Sequence, residues 1–115
     1  MVVVVVADQE RELAELYAAS LVRRGHKAHL WSDEAALGCI TEVVVVDTLF
    51  SADDDLVSRL RAVSPKLAVI ATGIHSHPAR HPSLLGAPYL KKPFALAELE
   101  AAVVRAATAV TVFDA

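Results

Sequence analysis

Val43-Val44-Val45-Val46-Asp47 is the stretch that decides the fold. Four consecutive β-branched residues favour a strand, because branching at Cβ restricts the side chain against a helical turn. The run has no polar alternation. Both faces of the strand are therefore expected to be buried, as in a parallel sheet covered by helices. The run ends in a carboxylate. Open α/β sheets bind ligands beyond the carboxyl ends of their strands, so Asp47 stands where a ligand or a reaction would be. A second apolar run, residues 2–7, ends in Asp8. Two carboxylates at the ends of two buried strands can converge into a divalent-cation site or a site for acid–base chemistry.

Outward from that pair, strand and helix patterns alternate. Residues 9–24 carry Leu13, Leu16, Tyr17 and Leu21 at helical spacing, with Asp8 as N-cap and Gly25 as stop. Residues 27–31 alternate Ala28 and Leu30 against His29 and Trp31, a second strand. A short helix is expected over Ala35, Ala36 and Leu37, closed by Gly38. Residues 42–47 form the third strand. The next helix runs to about residue 63, buries Leu56, Leu60 and Val63, and stops at Ser64-Pro65. Residues 67–71 read as a fourth strand followed by Thr72-Gly73, and residues 89–91 as a fifth. Between them, Pro78 and Pro82 leave room for a short helix only. A final helix over residues 95–107 presents Leu96, Leu99, Val103 and Ala106. The apolar tail, residues 110–115, has no assigned partner. Alternation of this kind gives a parallel sheet with right-handed crossovers. A flavodoxin-like (βα)5 three-layer α/β sandwich with strand order 2-1-3-4-5 suits 115 residues, and a closed barrel needs about twice the chain.

Composition narrows the function classes. The length fits a single domain, residues 1–115. A net charge of −3 with mixed signs and no basic stripe argues against direct nucleic-acid binding. One cysteine, Cys39, excludes an internal disulfide and suits a reducing compartment. The apolar start is too short to span a bilayer and lacks the layout of a signal peptide. The expected location is the cytoplasm, with no membrane contact. Glycine-rich phosphate loops are absent, which counts against a nucleotide or flavin site. Tyr17 and Trp31 are expected to serve packing. The run Asp53-Asp54-Asp55 is expected to cap a helix, and His75, His77 and His81 match no closed zinc spacing.

Four positions align at the carboxyl edge of the expected sheet: Asp8, Asp47, Thr72 and Lys92. A carboxylate beside a cation can act as a nucleophile toward phosphorus, and a hydroxyl and an ammonium can bind the oxygens of the transferred group. With residues 4–8, residues 43–47, Ala68-Val69-Ile70-Ala71-Thr72-Gly73 and Gly86-Ala87-Pro88-Tyr89-Leu90-Lys91-Lys92-Pro93-Phe94, the chain resembles the receiver domain of two-component response regulators, the fold of the chemotaxis regulator. The likeness covers nearly the whole chain. Asp54, seven residues past Asp47, matches an acid common in the family.

The resemblance implies a phosphoryl group accepted on Asp47 from a histidine kinase or phosphotransfer protein, in a step that needs Mg²⁺. It implies Mg²⁺ held by Asp8, Asp47 and the backbone carbonyl of Leu49. Thr72 and Lys92 would bind phosphoryl oxygens, and Tyr89 would change rotamer on activation. Signalling would pass through a protein–protein surface to a downstream partner, with a homodimer as an option. Such a chain is a phosphoacceptor rather than an enzyme with an external product.

The sequence also departs from the family. Gln9 stands where a second acid is usual, so its amide oxygen would be a weak ligand and Mg²⁺ affinity would fall. Phe50-Ser51 replaces the usual Met-Pro, the segment before the fifth strand is one residue short, and the His75–His77–His81 loop replaces a regular helix. Two other readings stay open. One is a pseudo-receiver that binds its partner without phosphorylation. The other is a small hydrolase using Asp47 as nucleophile, against which stands the lack of a general acid beside it.

Overall fold

The computed structural model describes residues 2–32, 40–48, 53–74 and 87–114, the side chains of residues 53–55 and 109–114 apart. In chain order these form β1 (Val3–Ala7), α1 (Arg11–Arg23), β2 (Lys27–Leu30), β3 (Val43–Asp47), α2 (Asp53–Val63), β4 (Ala68–Gly73), β5 (Tyr89–Lys91) and α3 (Leu96–Asp114). All four strand pairings are parallel and the order is β2-β1-β3-β4-β5. The expected flavodoxin-like topology is the one found. The short helices expected near residues 35–37 and before the fifth strand lie outside the described residues.

The valine runs work because a central strand has two faces to fill. Along β1 and β3, Val4, Val6, Val43 and Val45 join Ile70, Leu21, Tyr17, Leu99 and Val103 on the α1/α3 side. Val5, Ala7, Val44 and Val46 join Val69, Leu56, Val57 and Leu60 on the α2 side. Every residue of β3 is buried. Alternation continues to the strand ends, so Asp8, Asp47 and Thr72 follow Val6, Val45 and Ile70 onto the α1/α3 side.

Several local expectations are corrected. Asp8 does not cap α1: Glu10 is the N-cap residue, without a side-chain bond. Leu16 is 48 % exposed rather than inward. At about 100° per residue it lies some 140° round the helix from buried Leu21. The inward positions are Ala14, Tyr17, Ser20 and Leu21. Val63 closes α2 and is exposed, whereas Val57 is buried. Ser64 turns inward there because its hydroxyl accepts the Thr41 N–H at 2.8 Å. Thr72 and Gly73 are part of β4 rather than beyond it. The apolar tail continues α3 to Asp114, seven residues past the expected end. Gly25 follows α1 with φ +91°, a conformation that suits a residue without Cβ.

Candidate functional site

β3 and β4 pair Asp47 with Thr72, and β1 pairs Ala7 with Val46, so Asp8 and Asp47 stand in adjacent positions at one sheet edge. Asp8, Asp47 and Thr72 are 3 %, 4 % and 1 % exposed. Lys92 arrives from just beyond the edge strand β5. Its backbone N–H donates to the Gly73 carbonyl at 2.6 Å, continuing the β4–β5 ladder past Lys91. The peptide that follows, Lys92-Pro93, is cis. The Lys92 ammonium donates to Asp8 Oδ2 at 2.7 Å and also to Asp47 Oδ2. Asp8 is fixed from its own side, because the Glu10 N–H donates to its Oδ1 at 2.8 Å. The next turn is fixed as well, the Thr48 N–H donating to the Thr72 carbonyl at 2.8 Å.

Burying an ammonium disfavours its charge, and this is the largest single influence on Lys92. The hydrogen bonds and charges of Asp47 and Asp8 outweigh it and push the group up to about 12. Lys92 is thus a permanent cation between two carboxylates. It also tests the pocket for metal: the Asp8 and Asp47 oxygens converge on one positive centre. Such a pair of hard oxygen donors suits Mg²⁺, which takes one or two carboxylates and completes its shell with water. Among the described residues no third His, Cys, Asp or Glu side chain joins them. Gln9 is exposed beside Asp8 and lines a cleft with Asp8, Arg11, Leu30, Trp31 and Ser32. Leu49, Phe50, Cys39 and the three loop histidines lie outside the described residues.

Tyr89 is half-buried and its ring reaches across β4. A Cβ built on Gly73 would lie 2.7 Å from the Tyr89 hydroxyl and 2.6 Å from Thr48 Oγ1. Gly73 therefore makes room for two side chains behind the acidic pair. Thr48 and Gly73 carried no chemical signal in the sequence. Tyr17 is a packing residue as expected, 6 % exposed in the core, and its ring lies 5.4 Å from that of Phe94, two residues beyond Lys92.

The site can hold a cation, position an oxyanion beside an ammonium, and present a carboxylate as nucleophile. By sequence the chain matches no family model and no curated protein. By structure, 126 solved chains match. NtrX from Brucella abortus, solved in complex with ADP, superposes with a TM-score of 0.78 at 23 % identity over 98 % of this chain. The chain spans only 28 % of NtrX. A response regulator receiver protein from Sinorhizobium medicae gives 0.74 at 22 % identity, covering 95 % of this chain and 96 % of that one. A Burkholderia pseudomallei response regulator, solved with a phosphorylated aspartic acid, a calcium ion and citrate, gives 0.70 at 23 % identity, covering all of this chain and 74 % of that one. In strand order and in the placing of its described helices, this chain has the fold of response regulator receiver domains.

Proposed function

We propose that this chain is a single receiver-like domain that accepts a phosphoryl group on Asp47 in a Mg²⁺-dependent step. The observation that carries the reading is the Lys92 ammonium, hydrogen bonded to both Asp8 and Asp47 at the carboxyl edge of the sheet. A phosphorylated aspartic acid with a divalent ion in the Burkholderia regulator supports the same chemistry on this fold. In the proposed step an Asp47 carboxylate oxygen attacks phosphorus, and the donor's bond to phosphorus breaks with its electrons leaving on the donor. A bound Mg²⁺ would neutralise charge on the transferred group. Asp8, Asp47 and the Leu49 carbonyl would hold it, with Gln9 as a weak contributor. Lys92 and the Thr72 hydroxyl take up charge on the phosphoryl oxygens. Tyr89 responds through its rotamer. Donors would be a histidine kinase or a phosphotransfer protein. The readout would be a protein surface, met by a downstream partner or a second copy, in the cytoplasm. Among the described residues no helix is long and apolar enough to cross a membrane.

A phosphorylation-independent pseudo-receiver is the second reading, favoured by Gln9 in place of an acid. Intact mass after incubation with acetyl phosphate and Mg²⁺, beside Asp47→Asn, separates the two. A single phosphoryl adduct that needs Mg²⁺ and is lost in the variant supports the acceptor. No adduct on folded protein with Mg²⁺ in excess sinks it and leaves the pseudo-receiver.

A further inference from the structure

Tyr17 sits on α1, in the helix that follows Asp8 and remote in sequence from Asp47, and its expected role is packing. Its location argues for more. The side chain is 6 % exposed and belongs to the core cluster on the α1/α3 side of the sheet. That is the side onto which strand alternation puts Asp8, Asp47 and Thr72. A helical side chain leans toward its helix N-terminus, and α1 begins three residues after Asp8. Tyr17 therefore points back at the carboxyl edge. The charges of Lys92, Asp8, Asp47 and Glu10 all act on its phenol, whose pKa burial pushes up.

The contact that matters is the ring contact. Tyr17 and Phe94 pack with centroids 5.4 Å apart and planes tilted by 30°, within the range of favourable aromatic pairs. Phe94 is half-buried and packed against the same cluster. Lys92 is thereby tied on two sides. Upstream, its N–H is bonded to the Gly73 carbonyl. Downstream, across Pro93, Phe94 rests on Tyr17. The helix that starts just after Asp8 thus also clamps the turn that carries Lys92.

We infer that Tyr17 is a positioning residue: its ring, through Phe94, holds the Lys92-Pro93-Phe94 turn so that the ammonium stays between Asp8 and Asp47. The ring does this, and the hydroxyl is dispensable. Tyr17→Phe keeps the clamp and Tyr17→Leu removes it while leaving an apolar side chain in the core. Phe94→Leu removes the other half from a less buried position, and decides the question if Tyr17→Leu does not fold.

The primary readout is the lysine ammonium ¹H–¹⁵N NMR spectrum of the full chain without phosphodonor. A side-chain ammonium gives a persistent signal only when hydrogen bonds slow its exchange with water. The Lys92 signal, assigned by its loss in Lys92→Arg, is expected in wild type and Tyr17→Phe, and absent in folded Tyr17→Leu or Phe94→Leu. The second readout is the rate of adduct formation with acetyl phosphate and Mg²⁺. It rests on the receiver reading, and is expected to fall about tenfold or more in the two Leu variants and to hold in Tyr17→Phe. A Lys92 signal unchanged in either folded Leu variant overturns the inference. So does its loss in Tyr17→Phe, which would assign the effect to the hydroxyl. If wild type forms no adduct, the receiver reading fails, and the ammonium spectra alone still decide this one.

Discussion

Gly73 ends β4 with two oxygens aimed at the place its Cβ would occupy, 2.6 Å from Thr48 Oγ1 and 2.7 Å from the Tyr89 hydroxyl. No Cβ tolerates either distance, so Gly73→Ala must displace both. Each is the far end of a side chain that can rotate, so the fold can absorb the change. We expect a stability loss below about 1 kcal/mol, less than overpacking of a rigid core costs. Tyr89 should swing away from β4, seen as a shift of its aromatic NMR signals toward solvent-exposed values. Unchanged Tyr89 signals would mean that the β4 backbone yields instead and that Gly73 does not govern the Tyr89 rotamer. At this scale the sequence was partly legible. Asp8, Asp47, Thr72 and Lys92 could be found because strand ends are marked by a change from apolar to polar residues, and the structure brings Lys92 to both carboxylates. Gly73 and Tyr17 could not be found. A missing Cβ and a ring contact between α1 and the turn after β5 are facts of tertiary distance, with no local pattern to announce them.

Helices α1 and α3 meet through a polar clasp that also escaped the sequence. Ser20 is buried on α1 and its hydroxyl donates to Glu100 Oε1 at 2.6 Å, while Arg24 Nε donates to Oε2 at 3.0 Å. This is why Ser20 faces inward where apolar periodicity put Leu16. The Ser20 hydrogen bond first, then the Arg24 charge, hold Glu100 below its ordinary value of 4.5 despite an opposing desolvation effect. A carboxyl depressed by folding stabilises the fold above its unfolded pKa, and that contribution vanishes as pH falls through the folded value. Urea midpoints for wild type and Glu100→Gln should therefore differ at neutral pH and converge as the pH drops below about 4.5. Because Arg24 is largely exposed, added salt should shrink the difference. A difference that is constant with pH would assign it to packing rather than to the carboxylate held by Ser20 and Arg24. Strand boundaries, by contrast, were legible to within one or two residues, since β-branched runs flanked by polar residues leave few alternatives. The end of α3 was not, because residues 108–114 are mostly β-branched, with Phe113 and Asp114 besides, and local propensity does not favour these in a helix.

The whole molecule is a sheet used on both sides, and that arrangement makes a prediction about how its two cores communicate. The valine strands send alternate side chains to the α1/α3 layer and to the α2 layer. The composition made this architecture readable, since 55 % apolar residues arranged in unbroken strand runs need covering on two faces. Val103 on α3 and Val57 on α2 are buried to 0 % and 1 % exposure in the two separate clusters. Truncating either to Ala removes two carbons' worth of burial and leaves a small cavity, a cost of about 2 kcal/mol each. With the sheet between them the two sites share no neighbour in these clusters. Their effects in urea denaturation should then add to within about 0.5 kcal/mol in the double variant. A coupling above about 1 kcal/mol would mean that strain at one face reaches the other through β1 and β3. Asp8 and Asp47 stand at the ends of those two strands. A rigid, additive sheet would leave the acidic pair insulated from its own core, so that a change at this edge would spread only through side chains and the turns beyond the strands. A coupled sheet would make the strands themselves part of the response.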